Sequence, residues 1–193
     1  MKISNYSLKE LVWHFSQDYL QAYENRFTHL PITHMVEDWP SPCEQGIKEE
    51  EFSLWCPIKV NENLTFENVE TALEITLHED IKQYFTTMFS DSLDASCAEG
   101  DLSLLFAWSA KDFARLQENI IGHILMKTKL KQKLTIFFAT TDDDDHIISL
   151  DNDTGEIWVE KVGCEPHKKI AENLMEFVTQ LTPRIPPQAM EDN

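Results

Sequence analysis

The sequence predicts an α+β domain, a single unit whose short-stranded, largely antiparallel or mixed sheet is flanked by helices. Its strand-like segments follow one another through hairpin signals, long amphipathic helices stand at both ends, and no repeat or low-complexity linker divides the 193 residues. One domain is the default at this length. A chain of this size buries roughly 70% of its unfolded surface, so neither a disulfide nor a metal is needed for folding.

Each element has its own justification. Residues 7–29 read as a first helix: Ser7 and Glu10 form an S-x-x-E capping box, and Leu8, Leu11, Val12, Phe15, Tyr19, Ala22 and Tyr23 repeat at helical spacing before Pro31. Turn-rich residues 38–46 precede a short strand at 51–56 that Pro57 closes or marks as an edge. Residues 67–89 read as two helical pieces with Val69, Leu73, Ile81, Phe85 and Phe89 inward. Residues 92–99 and 102–108 suggest a hairpin about Gly100–Asp101. Residues 109–127 form a helix capped by Ser109, with Asp112 in its first turn. The stretch 134–141, apolar in its middle, suits a central strand, and 146–151 pairs with 156–161 across N-D-T-G. A last helix is expected over 166–181, with Pro166 in its first turn and Ile170, Leu174, Phe177 and Leu181 inward. The domain is expected over residues 1–185, with 186–193 a loose tail.

The net charge is −18, and it is unevenly spread. Residues 1–36 balance three acids and three bases, while residues 37–99 carry fifteen acids against three bases. Residues 100–141 carry three acids against six bases, and residues 142–193 thirteen acids against four. Such a field repels nucleic-acid backbones and anionic lipid headgroups and attracts basic protein surfaces. Neither a nucleic acid nor a lipid surface is therefore an expected partner. Four scattered cysteines (Cys43, Cys56, Cys97, Cys164) contain no C-x-x-C pair, no secretory leader precedes them, and apolar runs stop at about four residues, far short of the ~20 of a membrane span. The expectation is a soluble protein with reduced thiols.

Sites of chemistry are hard to find. Asp142–Asp145 with His146 invites a metal reading, but consecutive turn residues diverge, and a solvated acidic loop explains them better. The run Asp151–Glu156 fails the calcium-loop pattern, since Gly155 at its sixth position would put Leu150 first and Lys161 twelfth. No H-E-x-x-H, H-x-E or G-x-S-x-G motif occurs among the seven histidines and the serines. No catalytic residue, metal ligand or cofactor is assigned. In the helix at 109–127, Gln117 falls on the apolar arc of Phe113, Leu116, Ile120, Ile121 and Ile124, where an amide must be hydrogen-bonded; it is expected to pin a neighbouring loop or strand end. Gly122, costly in mid-helix by about 1 kcal/mol relative to Ala, suggests close approach by a packed segment.

Several stretches resemble the Syd family of SecY-interacting proteins, and they fall in that family's order. They are S-P-C at Ser41–Cys43, Y-F-T-T at Tyr84–Thr87, A-W-S-x-x-D-F-x-R at Ala107–Arg115, Q-E-N-I-I-G-H at Gln117–His123 and I-A-x-N-L-x-E-F at Ile170–Phe177. The similarity covers roughly residues 7–183. It implies an SMI1/KNR4-related fold, no catalysis or cofactor, and a peripheral protein on the cytoplasmic side of the inner membrane. Its implied partner is SecY, the channel subunit of the export translocon, engaged through an electronegative groove. Within the matched motifs Trp108, Phe113 and Phe177 read as core. Acids beside the matched segments are the expected partner-binding residues: Glu79, Asp80, Asp91, Asp94 and Glu118, with Glu49, Glu50 and Glu51 as a second tier. The charge suits this role, because cytoplasmic loops of membrane proteins are rich in Lys and Arg, whereas an anionic leaflet repels an acidic protein. Two other readings are an immunity-type module neutralising a basic toxin and a metal enzyme built on Asp142–Asp145.

Overall fold

The computed structural model describes residues 6–49, 51–143 and 145–186. The chain begins with α1 (Leu8–Phe27), β1 (Ile32–His34), β2 (Glu44–Glu49), β3 (Phe52–Trp55) and β4 (Ile58–Lys59). It continues through α2 (Glu67–Leu73), α3 (Glu79–Phe85), β5 (Met88–Phe89), β6 (Leu93–Cys97), β7 (Gly100–Leu104) and α4 (Ala110–Leu130). It closes with β8 (Thr135–Thr141), β9 (His146–Asp151), β10 (Ile157–Lys161), β11 (Pro166–Ala171), α5 (Leu174–Thr179) and β12 (Thr182–Pro183). A seven-stranded sheet in the order β11-β10-β9-β8-β7-β6-β12 is antiparallel throughout, and β1-β3-β2 and β4-β5 form two smaller sheets. The class is α+β, as expected.

Alternation along the strands builds the core. Leu93, Leu104, Ala139, Ile148 and Val159 face one another across five strands, so they share one side of the sheet. Helices α3 and α5 cover that side: β8 bulges between Phe137 and Ala139, breaking the alternation there, and Phe138 meets Tyr84 edge-on at 5.4 Å and Phe177 at 5.7 Å between ring centroids. Helix α4 covers the opposite side, where His123 meets Phe137 at 5.4 Å. Helix α1 packs on α3 and α5 and reaches the β12 edge.

The helices follow their local chemistry. In α1 the Ser7 backbone donates to Glu10 at 2.7 Å and the Glu10 backbone to Ser7 at 3.3 Å, completing the capping box. In α4 the Asp112 N–H donates to the Ser109 hydroxyl, and the Trp108 N–H donates to the Asp112 carboxylate at 2.9 Å. Gln117 is buried and donates its amide to the Thr65 carbonyl at 3.0 Å, pinning the loop before α2. Trp108 is half-buried against the core, and Phe113 and Phe177 lie within it.

Four expectations need correction. Residues 166–171 are an edge strand rather than the start of a helix. Proline is tolerated at the first residue of such a strand, and the helix begins only where the Asn173 side chain accepts the Glu176 N–H at 2.9 Å. The second helical stretch ends at Phe85, and Met88–Phe89 pair with Ile58–Lys59 as strands. The β6–β7 hairpin turns before Gly100, which pairs with Cys97, and its second strand ends at Leu104. Gly122 faces open space, for a methyl group there meets nothing within 4 Å. The expected tail, apart from Pro186, lies outside the described residues.

Candidate functional site

Two adjoining hollows form one groove. The larger, about 430 Å³, lies among α1, β1, β3 and the β6–β7 hairpin; the smaller, about 380 Å³, runs on toward the start of α4. Thr33, His34 and Asp91 line both. The hairpin register supplies one wall. Asp94 faces Ser103 and Ser96 faces Asp101, so these polar side chains project from one side of the sheet while Leu93, Ala95, Leu102 and Leu104 fill the other.

The lip of the groove is latched to α4. Trp39 lies under the Lys111 ammonium at 4.3 Å and the Arg115 guanidinium at 5.3 Å, and Lys111 donates to the Asp38 carbonyl at 3.2 Å. The Ser41 hydroxyl donates to the Trp108 carbonyl, and Trp108 stands edge-on to Trp55 at 6.0 Å. The S-P-C and A-W-S-x-x-D-F-x-R stretches, distant in sequence, thus meet at this lip.

Three carboxylates sit close together in the groove. Burial pushes the Asp91 carboxyl up; the Ser92 N–H, 2.8 Å away, and the Thr33 side chain oppose that shift, and neighbouring Asp94 and Asp112 add to it. Asp94 accepts from the Ser103 hydroxyl and lies 3.5 Å from the Arg184 guanidinium. Asp112 pairs with Arg115 at 3.6 Å. Asp91 forms no ion pair among the described residues, although two other acids repel its charge.

Glu79, Asp80, Glu118 and Glu51 lie elsewhere. Glu79 borders a separate hollow of about 330 Å³ and pairs with Lys82 at 3.3 Å. A side-chain hydrogen bond from Gln83 and then the Lys82 cation hold its carboxyl below the usual range, against some desolvation. Asp80 is in the first turn of α3, its N–H donating to His78 Nδ1 at 3.2 Å. Glu118 is exposed on α4. Glu49 closes β2, Glu50 lies outside the described residues, and Glu51 is exposed in the turn before β3. The groove therefore gathers Asp91 and Asp94, whereas Glu51, Glu79, Asp80 and Glu118 do not line it. It also recruits residues the sequence reading gave other roles or none. Tyr19 and Tyr23 read as part of the apolar stripe of α1, Asp112 as a helix-start charge, and His34 has no assigned role; Arg184, also without one, stands at the groove's margin beside Asp94.

The described acids of the loop at 142–145 are all paired. Asp143 accepts the Asp145 N–H at 3.1 Å and pairs with His146 at 3.0 Å, Asp145 pairs with Lys161 at 2.8 Å, and Asp142 pairs with Arg184 at 3.2 Å. Asp144 lies outside the described residues. Among the described residues no group of three or more His, Cys, Asp or Glu is placed to hold a metal ion, and no helix is long and apolar enough to cross a membrane.

A family model described as Syd protein (SUKH-2) matches residues 9–183. The chain belongs to the Syd family. A Protein Syd from Colwellia psychrerythraea strain 34H is 51% identical over 191 residues, covering 94% of this chain and 96% of that one. A Protein Syd from Shewanella denitrificans is 43% identical over 176 residues, covering 90% and 80%. Another, from Aliivibrio fischeri strain MJ11, is 34% identical over 179 residues, covering 93% and 97%. The Syd match thus spans both halves of the groove, from α1 to the strand that precedes Arg184.

Proposed function

We propose that this member of the Syd family binds SecY on the cytoplasmic side of the inner membrane, docking basic cytoplasmic segments of the channel in the groove of Asp91, Asp94 and Asp112. On this reading it monitors or restrains the translocon and is recruited by a protein receptor rather than by lipid. Family membership supports the choice of partner, and the observation that carries the choice of surface is Asp91. It is a partly buried carboxylate crowded by two like charges and lacking an ion pair among the described residues, an arrangement that an incoming cation relieves. Exposed pairs contribute only about 0–1 kcal/mol each, so the acids steer the encounter while the groove's aromatic walls hold the complex.

The test is capture of SecY from detergent-solubilised membranes. Asp91→Asn with Asp94→Asn is expected to lose capture, whereas Glu79→Gln, Asp80→Asn and Glu118→Gln together retain most of it. Equal loss in both variants would show that overall charge, not the groove, binds. Recovery on protein-free anionic vesicles as strong as on SecY membranes would reject receptor-dependent recruitment.

A further inference from the structure

Acidity says only that the groove takes positive charge; three observations indicate which cation. Tyr19 is only 4% exposed, lines the groove, and has no hydrogen-bond partner for its hydroxyl among the described residues. Burial does most to hold that hydroxyl protonated by raising its pKa, and Asp94, Tyr23 and Asp91 add to the rise, which places the hydroxyl near the two acids. The groove walls are aromatic: Tyr23, Phe52 and Trp55 line it, and the His34 and Phe52 rings lie 4.2 Å apart. The molecule also already seats one guanidinium at the margin of this acidic cluster. Arg184 Nη2 is 3.5 Å from Asp94 and 3.2 Å from Asp142, and its Nε is 3.5 Å from Asp101.

We propose that the open half of the groove, around Asp91 and Tyr19, is a subsite that reads an arginine side chain of the partner polypeptide in preference to a lysine. The guanidinium donates to the Asp91 carboxylate and to the Tyr19 oxygen while its flat face lies on the aromatic wall. Arginine fits on three counts. Its planar fork supplies several donors at once, it sheds water more readily than an ammonium, and it stacks on rings. A lysine would offer Asp91 a compact, strongly hydrated point charge and leave the wall unused. Arg184 holds the far end of the acidic row, so the subsite begins where that internal cation stops.

This inference rests on the groove being the cation-docking surface, and the experiment separates the two. Binding of the intact protein to acetyl-Gly-Arg-Gly-Arg-Gly-amide and to its lysine counterpart is measured by calorimetry at low salt. The arginine peptide is expected to bind about tenfold more tightly. Asp91→Asn, and Tyr19→Phe, which removes only a hydroxyl, each bring the ratio close to one, while thermal melts verify folding; Glu118→Gln leaves the ratio intact. Equal affinities, or a preference that survives both groove variants, overturn the arginine assignment while cation docking stands. Absence of binding by either peptide overturns both.

Discussion

Lys127 and Glu160 are both fully buried and meet at 2.9 Å between α4 and the sheet. Lys127 also donates to the Cys164 carbonyl at 2.7 Å, and the Thr135 hydroxyl donates to Glu160 at 3.0 Å. Burial pushes the Glu160 carboxyl up, and the Lys127 hydrogen bond and charge pull it back. Such a pair adds little net stability because desolvation offsets the attraction, yet removing one member leaves a buried charge unpaired. Lys127→Met is therefore expected to cost about 3–5 kcal/mol, and adding Glu160→Gln should recover much of it; urea unfolding of the singles and the double measures the coupling. His123 stands beside the pair, 3.6 Å from Glu160, and burial followed by Lys127 lowers its pKa from 6.5 to about 4. Between those values the unfolded histidine holds a proton that the folded one does not. This group therefore contributes stability above pH 6.5 that is lost as pH falls toward 4. Comparing urea midpoints across that window, His123→Gln should flatten the acid side of the profile.

At the scale of elements, two glycines respond to alanine in opposite directions. Gly122 sits in mid-α4 facing open space, so Gly122→Ala gains about 1 kcal/mol of helix propensity without a clash. Gly155 has φ +77° in the β9–β10 turn, and a methyl group there falls 2.7 Å from His78 Nε2. Gly155→Ala should destabilise by more than about 1 kcal/mol. It should also disturb the start of α3, where His78 Nδ1 accepts the Asp80 N–H. Paired thermal melts decide both signs. These elements also show what a single sequence makes legible. Helices α1 and α4 carry their apolar stripes and caps locally, and the N-D-T-G hairpin carries its turn. Strands β4, β5 and β12 are two residues long and exist only through partners remote in sequence. In β11 the local signals conflict: a proline suited to a helix start precedes Asn173, the residue that caps the helix. The groove follows the same division. Asp91 and Asp94 lie next to motif stretches and were legible there, whereas Arg184 reaches the groove because β12 returns to the β6 edge, with the Arg184 N–H donating to the Asp94 carbonyl at 3.0 Å.

For the whole molecule, the net charge of −18 acts on folding and on binding with opposite sign. Self-repulsion among the acids opposes the compact state, and the same field draws a basic partner inward. Salt screens both, with a Debye length of about 8 Å at physiological strength. Raising salt to about 0.5 M should therefore raise the melting temperature while weakening SecY capture. A single residue reproduces this opposition without salt. The raised Asp91 pKa means that the folded state binds a proton more readily than the unfolded one, so this group's stabilising contribution is complete at low pH and falls as pH rises through the unfolded and then the folded pKa. At neutral pH Asp91→Asn removes that penalty and is expected to stabilise the fold by about 1 kcal/mol. The gain should vanish once Asp91 is protonated in both states. The same substitution should weaken capture of the channel at constant ionic strength. Melting curves at pH 7 and pH 3 beside pull-downs at fixed salt test both halves. A variant that is less stable at neutral pH, or that captures SecY as the parent protein does, would show that Asp91 is not held in a strained, unpaired state for its partner.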